Sequence, residues 1–147
     1  MKYSDTFLQF PPEFSACPEG IRTTIQKIAD EPTTKSIWFI GSRANSQAKP
    51  DSDWDIMVFC RDEIVRVPAR ITGLDVLRVS PAGQVLLEGK SEHFILQFSR
   101  FRWSRGGRDH AVFEGQRFRT DNSPRDYSES AVEVYPCRAL LIYEERE

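Results

Sequence analysis

Apolar residues follow a helical period near the start of this chain and then gather in short runs separated by turn residues. Isoleucines three or four positions apart predict an amphipathic helix over residues 18–30. Residues 36–40 are almost wholly apolar and are followed by Gly41, which predicts a strand buried on both faces. We expect a short helical turn over 42–47 and then a loop that contains Pro50. Gly41 is therefore predicted to lie at the C-terminal end of a buried strand.

The rest of the chain predicts further strands with one helix among them. Residues 53–60 and 71–79 are expected to form the second and third strands. Ser80 and Pro81 suit the start of a helix, because serine caps free amides and proline fits the first helical position, and Gly89 would end it. Apolar alternation and β-forming residues then predict strands over 93–103, 111–119 and 131–143.

Length and composition restrict the class of protein. A chain of 147 residues with 39% hydrophobic and 29% charged side chains suits one globular core, so we expect a single domain over 1–147. No apolar run approaches the roughly 18 residues that cross a bilayer, and residues 1–10 lack the features of a signal peptide. We therefore expect a cytoplasmic protein with no membrane partner. Three cysteines without close spacing argue against a disulfide framework and a thiolate zinc site.

Two aspartates one residue apart begin the second predicted strand. Asp53 and Asp55 should project from the same face, whereas Trp54 between them faces the other side. Such carboxylates repel each other unless a cation lies between them, and hard oxygen ligands select Mg²⁺ or Mn²⁺. If Asp75 lies on the adjacent strand and faces the same way, the cluster could bind two ions about 4 Å apart. We therefore predict these three aspartates to be metal ligands and catalytic residues.

The turn after the first strand offers groups that suit phosphate. Gly41 has no Cβ, so backbone amides can approach a phosphate chain closely. A helix that begins at Ser42 would present N–H groups without helical partners, at a positive dipole end. The Ser42 hydroxyl and the Arg43 guanidinium can each donate to a phosphate oxygen. We expect these three residues to bind a nucleoside triphosphate.

These motifs together resemble the signature of the DNA polymerase β-like nucleotidyltransferase superfamily, and its minimal, kanamycin-nucleotidyltransferase-like branch in particular. The resemblance runs from GSRA at positions 41–44 to SDWDI at positions 52–56, and it is strong only over residues 37–79. It implies an α+β fold, a mixed twisted sheet flanked by helices, here with a β-rich C-terminal extension. It also implies Mg²⁺ held by the three aspartates and a triphosphate contacted by the glycine and serine of the turn.

The resemblance implies transfer of a nucleoside monophosphate, expected to be AMP, from ATP or another triphosphate to an acceptor hydroxyl. The resemblance does not decide whether the acceptor is a protein or a small molecule. Related antibiotic-modifying enzymes append a helical acceptor-binding domain, whereas this chain has a β-rich tail. Minimal members pair with helical partner proteins, so such a partner is a further expectation. The alternative is a catalytically silent module of the same fold that binds a nucleotide or a partner.

Six arginines between residues 100 and 119 are interleaved with aromatic residues. This pattern is typical of an RNA-binding surface, and it is also typical of a half-exposed strand with one buried aromatic side and one solvated arginine side. We favour the second interpretation, so nucleic acid is not an expected partner.

Overall fold

The computed structural model describes residues 8–44, 53–62, 72–87, 95–118 and 132–145. Two α-helices lie in these ranges, α1 (Glu19–Ala29) and α2 (Gly41–Ala44), with two short 3₁₀ helices, Pro12–Phe14 and Phe98–Phe101. The strands are β1 (Thr34–Ile40), β2 (Trp54–Cys60), β3 (Leu74–Val79), β4 (Gln84–Leu87), β5 (Ile95–Gln97), β6 (Ser104–Arg105), β7 (His110–Phe118) and β8 (Val132–Glu144).

The strands form one mixed sheet in the order β5-β4-β3-β2-β1-β8-β7-β6. The pair β2 and β3 is parallel, and the other neighbouring strands pair antiparallel. The predicted helix over 18–30 is confirmed as α1, and the strands predicted over 36–40, 53–60 and 71–79 are confirmed as β1, β2 and β3. The strands predicted near the C-terminus correspond to β7 and β8.

The predicted α+β layout, in which helices flank the sheet, is wrong. Strands make up most of the secondary structure, and the sheet curls. In the described part of the chain, α1 is the one helix longer than a single turn. The nucleotidyltransferase layout implied by the resemblance therefore does not describe this fold. The chain builds strands where that layout needs helices.

The segment after β3 shows the physical reason why one of the predicted helices does not form. The expected helix over 80–89 is replaced by a tight turn and β4, with residues 88–90 outside the described ranges. The Ser80 N–H donates to the Gln84 carbonyl at 2.9 Å, and the Gly83 N–H donates to the Ser80 carbonyl at 2.9 Å. The Ser80 hydroxyl accepts from the Gln84 N–H at 3.1 Å, so the serine caps a turn. Gly83 has φ of 85°, a left-handed conformation that reverses the chain.

The strand predicted over 93–103 is also shorter than expected. Within the described part of this segment, β5 ends at Gln97 and a 3₁₀ helix follows. This change of direction turns the aromatic side chains toward the sheet. The centroid of the Trp103 ring lies 5.1 Å from the ring centroid of Trp38 on β1, 5.3 Å from that of Phe59 on β2 and 5.8 Å from that of Phe113 on β7. One indole thus contacts both halves of the sheet, which requires the sheet to curl around it.

The two faces of the sheet carry separate hydrophobic cores. The α1 face packs against α1 and Phe14, and its strand residues include Ile37, Phe39, Trp54, Ile56, Val58, Leu74 and Val76. The inner face lies inside the curl and includes Trp38, Ile40, Met57, Val79, Val85, Ala111, Phe113, Cys137 and Ala139. Because side chains alternate along a strand, Asp55 and Asp75 belong to the inner face. No helix in the described ranges is long and apolar enough to cross a membrane.

Substitution of Gly83 distinguishes the observed turn from the expected helix. A Cβ at Gly83 would meet no atom within 4 Å, so Gly83→Ala changes backbone strain alone. We expect it to lower the free energy of unfolding by about 1–2 kcal/mol, because alanine disfavours a positive φ. Gly20→Ala in α1 is the matched control. It also meets no atom within 4 Å, and it should be neutral or stabilising by up to about 1 kcal/mol.

Urea unfolding followed by circular dichroism measures both variants. Stabilisation by Gly83→Ala would contradict the turn and would favour a helix through residues 80–89.

Candidate functional site

Asp55 and Asp75 lie side by side on neighbouring strands. The parallel pairing of β2 and β3 puts the two residues in register, and residues in register point to the same face of a sheet. Both side chains are half-buried. Asp55 is also the pairing partner of Ile40, the last residue of β1. The structure therefore brings two of the three predicted carboxylates together at the end of the sheet where β1 ends.

Burial and the neighbouring carboxyl change the acidity of Asp55. The pKa of Asp55 is raised from its ordinary 3.8 to about 7, and burial is the largest cause of the rise. Asp75, through its charge and a side-chain hydrogen bond, and the Asp53 charge contribute to this rise, whereas the Arg43 charge opposes it. Because burial and the neighbouring Asp75 carboxyl disfavour ionisation of Asp55, the Asp55 carboxyl keeps its proton up to near neutral pH.

Asp53 lies beside this pair without joining it in a three-ligand group. It is half-buried and precedes β2, whose first residue donates its backbone N–H to the Gly73 carbonyl at 2.8 Å. Within the described ranges, no three His, Cys, Asp or Glu side chains come close enough to hold a metal ion together. The predicted cluster of three therefore consists of a contacting pair and a neighbour that acts on it through its charge.

The carboxyl pair fits a hard divalent cation. Mg²⁺ is commonly bound by one or two carboxylates and completes its shell with water and substrate phosphate, so a pair is sufficient. Near neutral pH the Asp55 carboxyl still carries a proton in part of the molecules, because its pKa is raised to about 7. A cation that binds both oxygens would replace this proton, since carboxylate ligands must be deprotonated. Asp55 and Asp75 are the residues that would hold Mg²⁺ or Mn²⁺, with Asp53 close by.

Gly41 packs directly against the Asp55 carboxylate. Its φ is 84°, and a Cβ at this position would collide with Oδ2 of Asp55 and lie 2.8 Å from its Cγ. Any other residue would therefore carry backbone strain and would displace the carboxylate. Glycine is required here for both reasons. The turn after β1 and the carboxyl pair form one packed unit.

The helical turn predicted over 42–47 lies only partly in the described ranges. The described part of α2 is a single turn, Gly41–Ala44, and residues 45–52 lie outside the described ranges. Ser42 contributes its backbone to this turn, while its side chain is outside the described part of the structure. The first turn of a helix presents N–H groups without helical partners at a positive dipole end, and the described part of α2 is such a turn.

Arg43 stacks on Trp54. The guanidinium carbon lies 4.3 Å from the centroid of the Trp54 ring. Trp54 is on the α1 face, where its ring centroid lies 4.9 Å from that of Phe14 and 5.9 Å from that of Phe39. The Arg43 charge still acts on Asp55. A cation therefore lies at the same end of the sheet as the carboxyl pair, on the opposite side of β2.

Arg138 on β8 is a contributor that the sequence did not identify. Its Nε donates to the carbonyl of Ala44 at the end of α2, and its Nη2 lies 2.7 Å from Oε2 of Glu13. It thus ties the turn to β8 and to the N-terminal segment. The sequence offers only a weak indication of this role, which is that Arg138 is the one charged residue in the otherwise apolar or small stretch 134–143.

The arginine-rich segment makes contacts that stabilise the curled sheet. Arg105 forms a bidentate ion pair with Glu144, at 2.7 and 3.0 Å, which raises the pKa of Arg105 and lowers that of Glu144. Arg102 lies 3.3 Å from a carboxylate oxygen of Glu114. The aromatic residues between them pack toward the inner face. In this part of the segment the aromatic side chains are structural, and at least two arginines are in ion pairs.

No family model, no curated protein and no solved structure matches this chain. A functional argument therefore depends on the geometry of Asp55, Asp75 and the turn Gly41–Ala44. The resemblance to a nucleotidyltransferase signature rests on the residues of the turn and of β2.

The raised pKa of Asp55 predicts how stability depends on pH. The folded state binds a proton more tightly than the unfolded chain between pH 3.8 and about 7. This contribution is complete below pH 4 and is lost as pH rises through 7. In the presence of EDTA, we expect Asp55→Asn to be more stable than the natural chain at pH 8 by up to roughly 3 kcal/mol, and much less so at pH 4.5.

Urea unfolding at these two pH values measures the effect. Asp62→Asn, an exposed position just after β2, is the control and should follow the natural chain. The same pH dependence in the natural chain and in Asp55→Asn would contradict the raised pKa of Asp55.

Proposed function

We propose that this protein is an Mg²⁺-dependent nucleotidyltransferase, which moves a nucleoside monophosphate from a triphosphate, with ATP the expected donor, to an acceptor hydroxyl. The observation that carries the proposal is the in-register pair Asp55 and Asp75 packed against the left-handed turn at Gly41. A carboxyl pair that suits a hard cation then lies next to a backbone turn that can approach phosphate. Nucleotidyl transfer requires both features in one place.

The carboxyl pair supports two roles in such a reaction. Mg²⁺ or Mn²⁺, when bound to Asp55 and Asp75, would neutralise charge on the phosphates. Because a bound cation requires both carboxylates to be deprotonated, either of them would then be suited to accept the proton of the acceptor. The acceptor oxygen forms a bond to the α-phosphorus, the bond to pyrophosphate breaks, and the acceptor's proton passes to a carboxylate. Asp53 adds negative charge beside the pair.

The turn would hold the triphosphate in line for this attack. Gly41 has no side chain to block the approach of a phosphate to the backbone, and the Ser42 amide belongs to the same turn. Arg43 adds a positive charge two residues later. Positioning and charge neutralisation account for most of the catalysis that phosphoryl and nucleotidyl transfer need.

The acceptor and the partners form the less specific part of the proposal. A protein hydroxyl or a small-molecule hydroxyl fits the chemistry equally, and a helical partner protein could supply the acceptor-binding surface. We propose that the reaction takes place in the cytoplasm, where ATP and Mg²⁺ are plentiful. Nucleic acid is not proposed as an acceptor, because the arginines and aromatic residues described above make structural contacts.

A second candidate function is a nucleotide- or partner-binding module without turnover. The observation in its favour is that Asp53 does not join the other two carboxylates in a three-ligand group. A two-carboxylate site can hold one cation and a triphosphate, whereas two-metal chemistry needs further ligands.

Transfer of label from triphosphate separates these candidates. We expect the full chain, incubated with Mg²⁺, cell lysate and ATP labelled at the α-phosphate, to place label on a protein or a small molecule. Asp55→Asn and Asp75→Asn should each lower the rate by at least about a hundredfold, because each removes a ligand and an acid–base group. Asp62→Asn should keep the natural rate.

Titration calorimetry with ATP and Mg²⁺ completes the test. Binding that depends on Asp55, without any transfer, would favour the silent module. Transfer that is independent of both aspartates, or the absence of transfer and binding, would contradict the proposed enzyme.

A further inference from the structure

Trp54 occupies an unusual place between two acidic residues. Alternation along β2 requires an apolar side chain here for the α1 face, and the next two residues on that face are Ile56 and Val58. An aliphatic residue at position 54 would fill the α1 face equally well. A flat ring instead offers a surface on which a guanidinium can stack, and Arg43 stacks there at 4.3 Å.

The indole of Trp54 is held firmly in place. Its exposed fraction is 4%, and its ring packs against those of Phe14 and Phe39, which also contact each other. The backbone is fixed as well, since the Trp54 N–H donates to the Gly73 carbonyl at 2.8 Å and Trp54 pairs with Leu74. The ring is therefore a rigid platform at the end of the sheet where the carboxyl pair lies.

Arg43 gains a defined position from this platform. An arginine side chain has many rotamers, and stacking restricts them before any ligand arrives. The N–H groups of a stacked guanidinium lie in its own plane, parallel to the ring, so stacking is compatible with hydrogen bonds to an anion. Arg43 belongs to the turn Gly41–Ala44, whose glycine packs against the Asp55 carboxylate, so the stacked guanidinium lies at the same end of the sheet as the carboxyl pair.

We propose that Trp54 is a positioning residue, which holds the Arg43 guanidinium at the end of the sheet where the carboxyl pair lies, for contact with the phosphates of a nucleoside triphosphate. This inference rests on the proposed function and adds a determinant of substrate affinity to it. Trp54 acts through Arg43 and contacts no reacting atom. Its loss should therefore weaken triphosphate binding and leave the chemical step nearly unchanged.

The decisive comparison is a mutant cycle between Trp54 and Arg43. We expect Trp54→Leu to raise KM and the Kd for Mg²⁺·ATP by about three- to thirtyfold, with kcat within about twofold, because a cation–π contact of this kind is lost. Trp54→Phe keeps an aromatic face, so its KM and Kd should lie between those of the natural chain and those of Trp54→Leu. In an Arg43→Gln background, Trp54→Leu should have no further effect on KM or Kd.

Two further variants distinguish the positioning role of Trp54 from a purely structural role. Ile56→Val, one step along the same buried face, loses packing without removing the platform, so it should lower stability and leave KM and Kd unchanged. Arg43→Lys keeps the charge but loses the planar group, so it should resemble Trp54→Leu. If Trp54→Leu does not fold, Trp54→Phe and Arg43→Lys still decide the question by their KM and Kd.

Unchanged KM and Kd in folded Trp54→Leu, or an equal effect of this substitution with and without Arg43, would overturn the positioning role while leaving the proposed function intact. Absence of both transfer and Mg²⁺·ATP binding in the natural chain would overturn the proposed function together with this inference.

Discussion

Two acidic side chains in contact on adjacent strands are a liability in a folded protein, because like charges directly opposite each other destabilise a sheet. Here the parallel register of β2 and β3 imposes that contact on Asp55 and Asp75. The register cannot slip by one residue, since slippage would turn Asp75 toward the apolar α1 face and bring its hydrophobic neighbours to the inner face. The raised pKa of Asp55 lets this carboxyl stay protonated up to near neutral pH, and the same arrangement suits a divalent cation. The other parts of the candidate site are arranged around this pair.

The surroundings of the pair hold it in one geometry. Gly41 closes over the Asp55 carboxylate, where no larger residue fits, and Arg138 ties the end of α2 to β8 and to Glu13. On the far side of β2, Trp54 fills the α1 face and supports Arg43. One short strand thus presents acidic groups on the inner face and an aromatic platform for a cation on the other. The alternation of D-W-D is enough to produce this division.

The sequence predicted the parts of the fold that local patterns determine. Isoleucine spacing predicted α1, and apolar runs predicted β1, β2 and β3, because a period of 3.6 or 2 assigns each side chain to a face. Juxtaposition of Asp55 and Asp75 followed from alternation and from strand adjacency. The helix over 80–89 failed because Ser80-Pro81 suits a turn as well as a helix start, and the left-handed Gly83 selects the turn. The flanking helices failed because a local resemblance was extended to the whole chain. Neither the curl of the sheet around Trp103 nor the contact of Arg138 with Ala44 leaves a local pattern, since each joins residues far apart in sequence.

The central claim is that Asp55 and Asp75 together form a divalent cation site, and Mn²⁺ binding followed by electron paramagnetic resonance tests it most directly. The account predicts a site on the natural chain whose affinity rises as pH increases from 6 to 8, because the cation must displace the proton that Asp55 carries below pH 7. It predicts an affinity at least about tenfold lower in Asp55→Asn and in Asp75→Asn, and an unchanged affinity in Asp62→Asn. Mn²⁺ binding of equal affinity in the natural chain and in both pair variants, or no binding to the natural chain at pH 8, would contradict it.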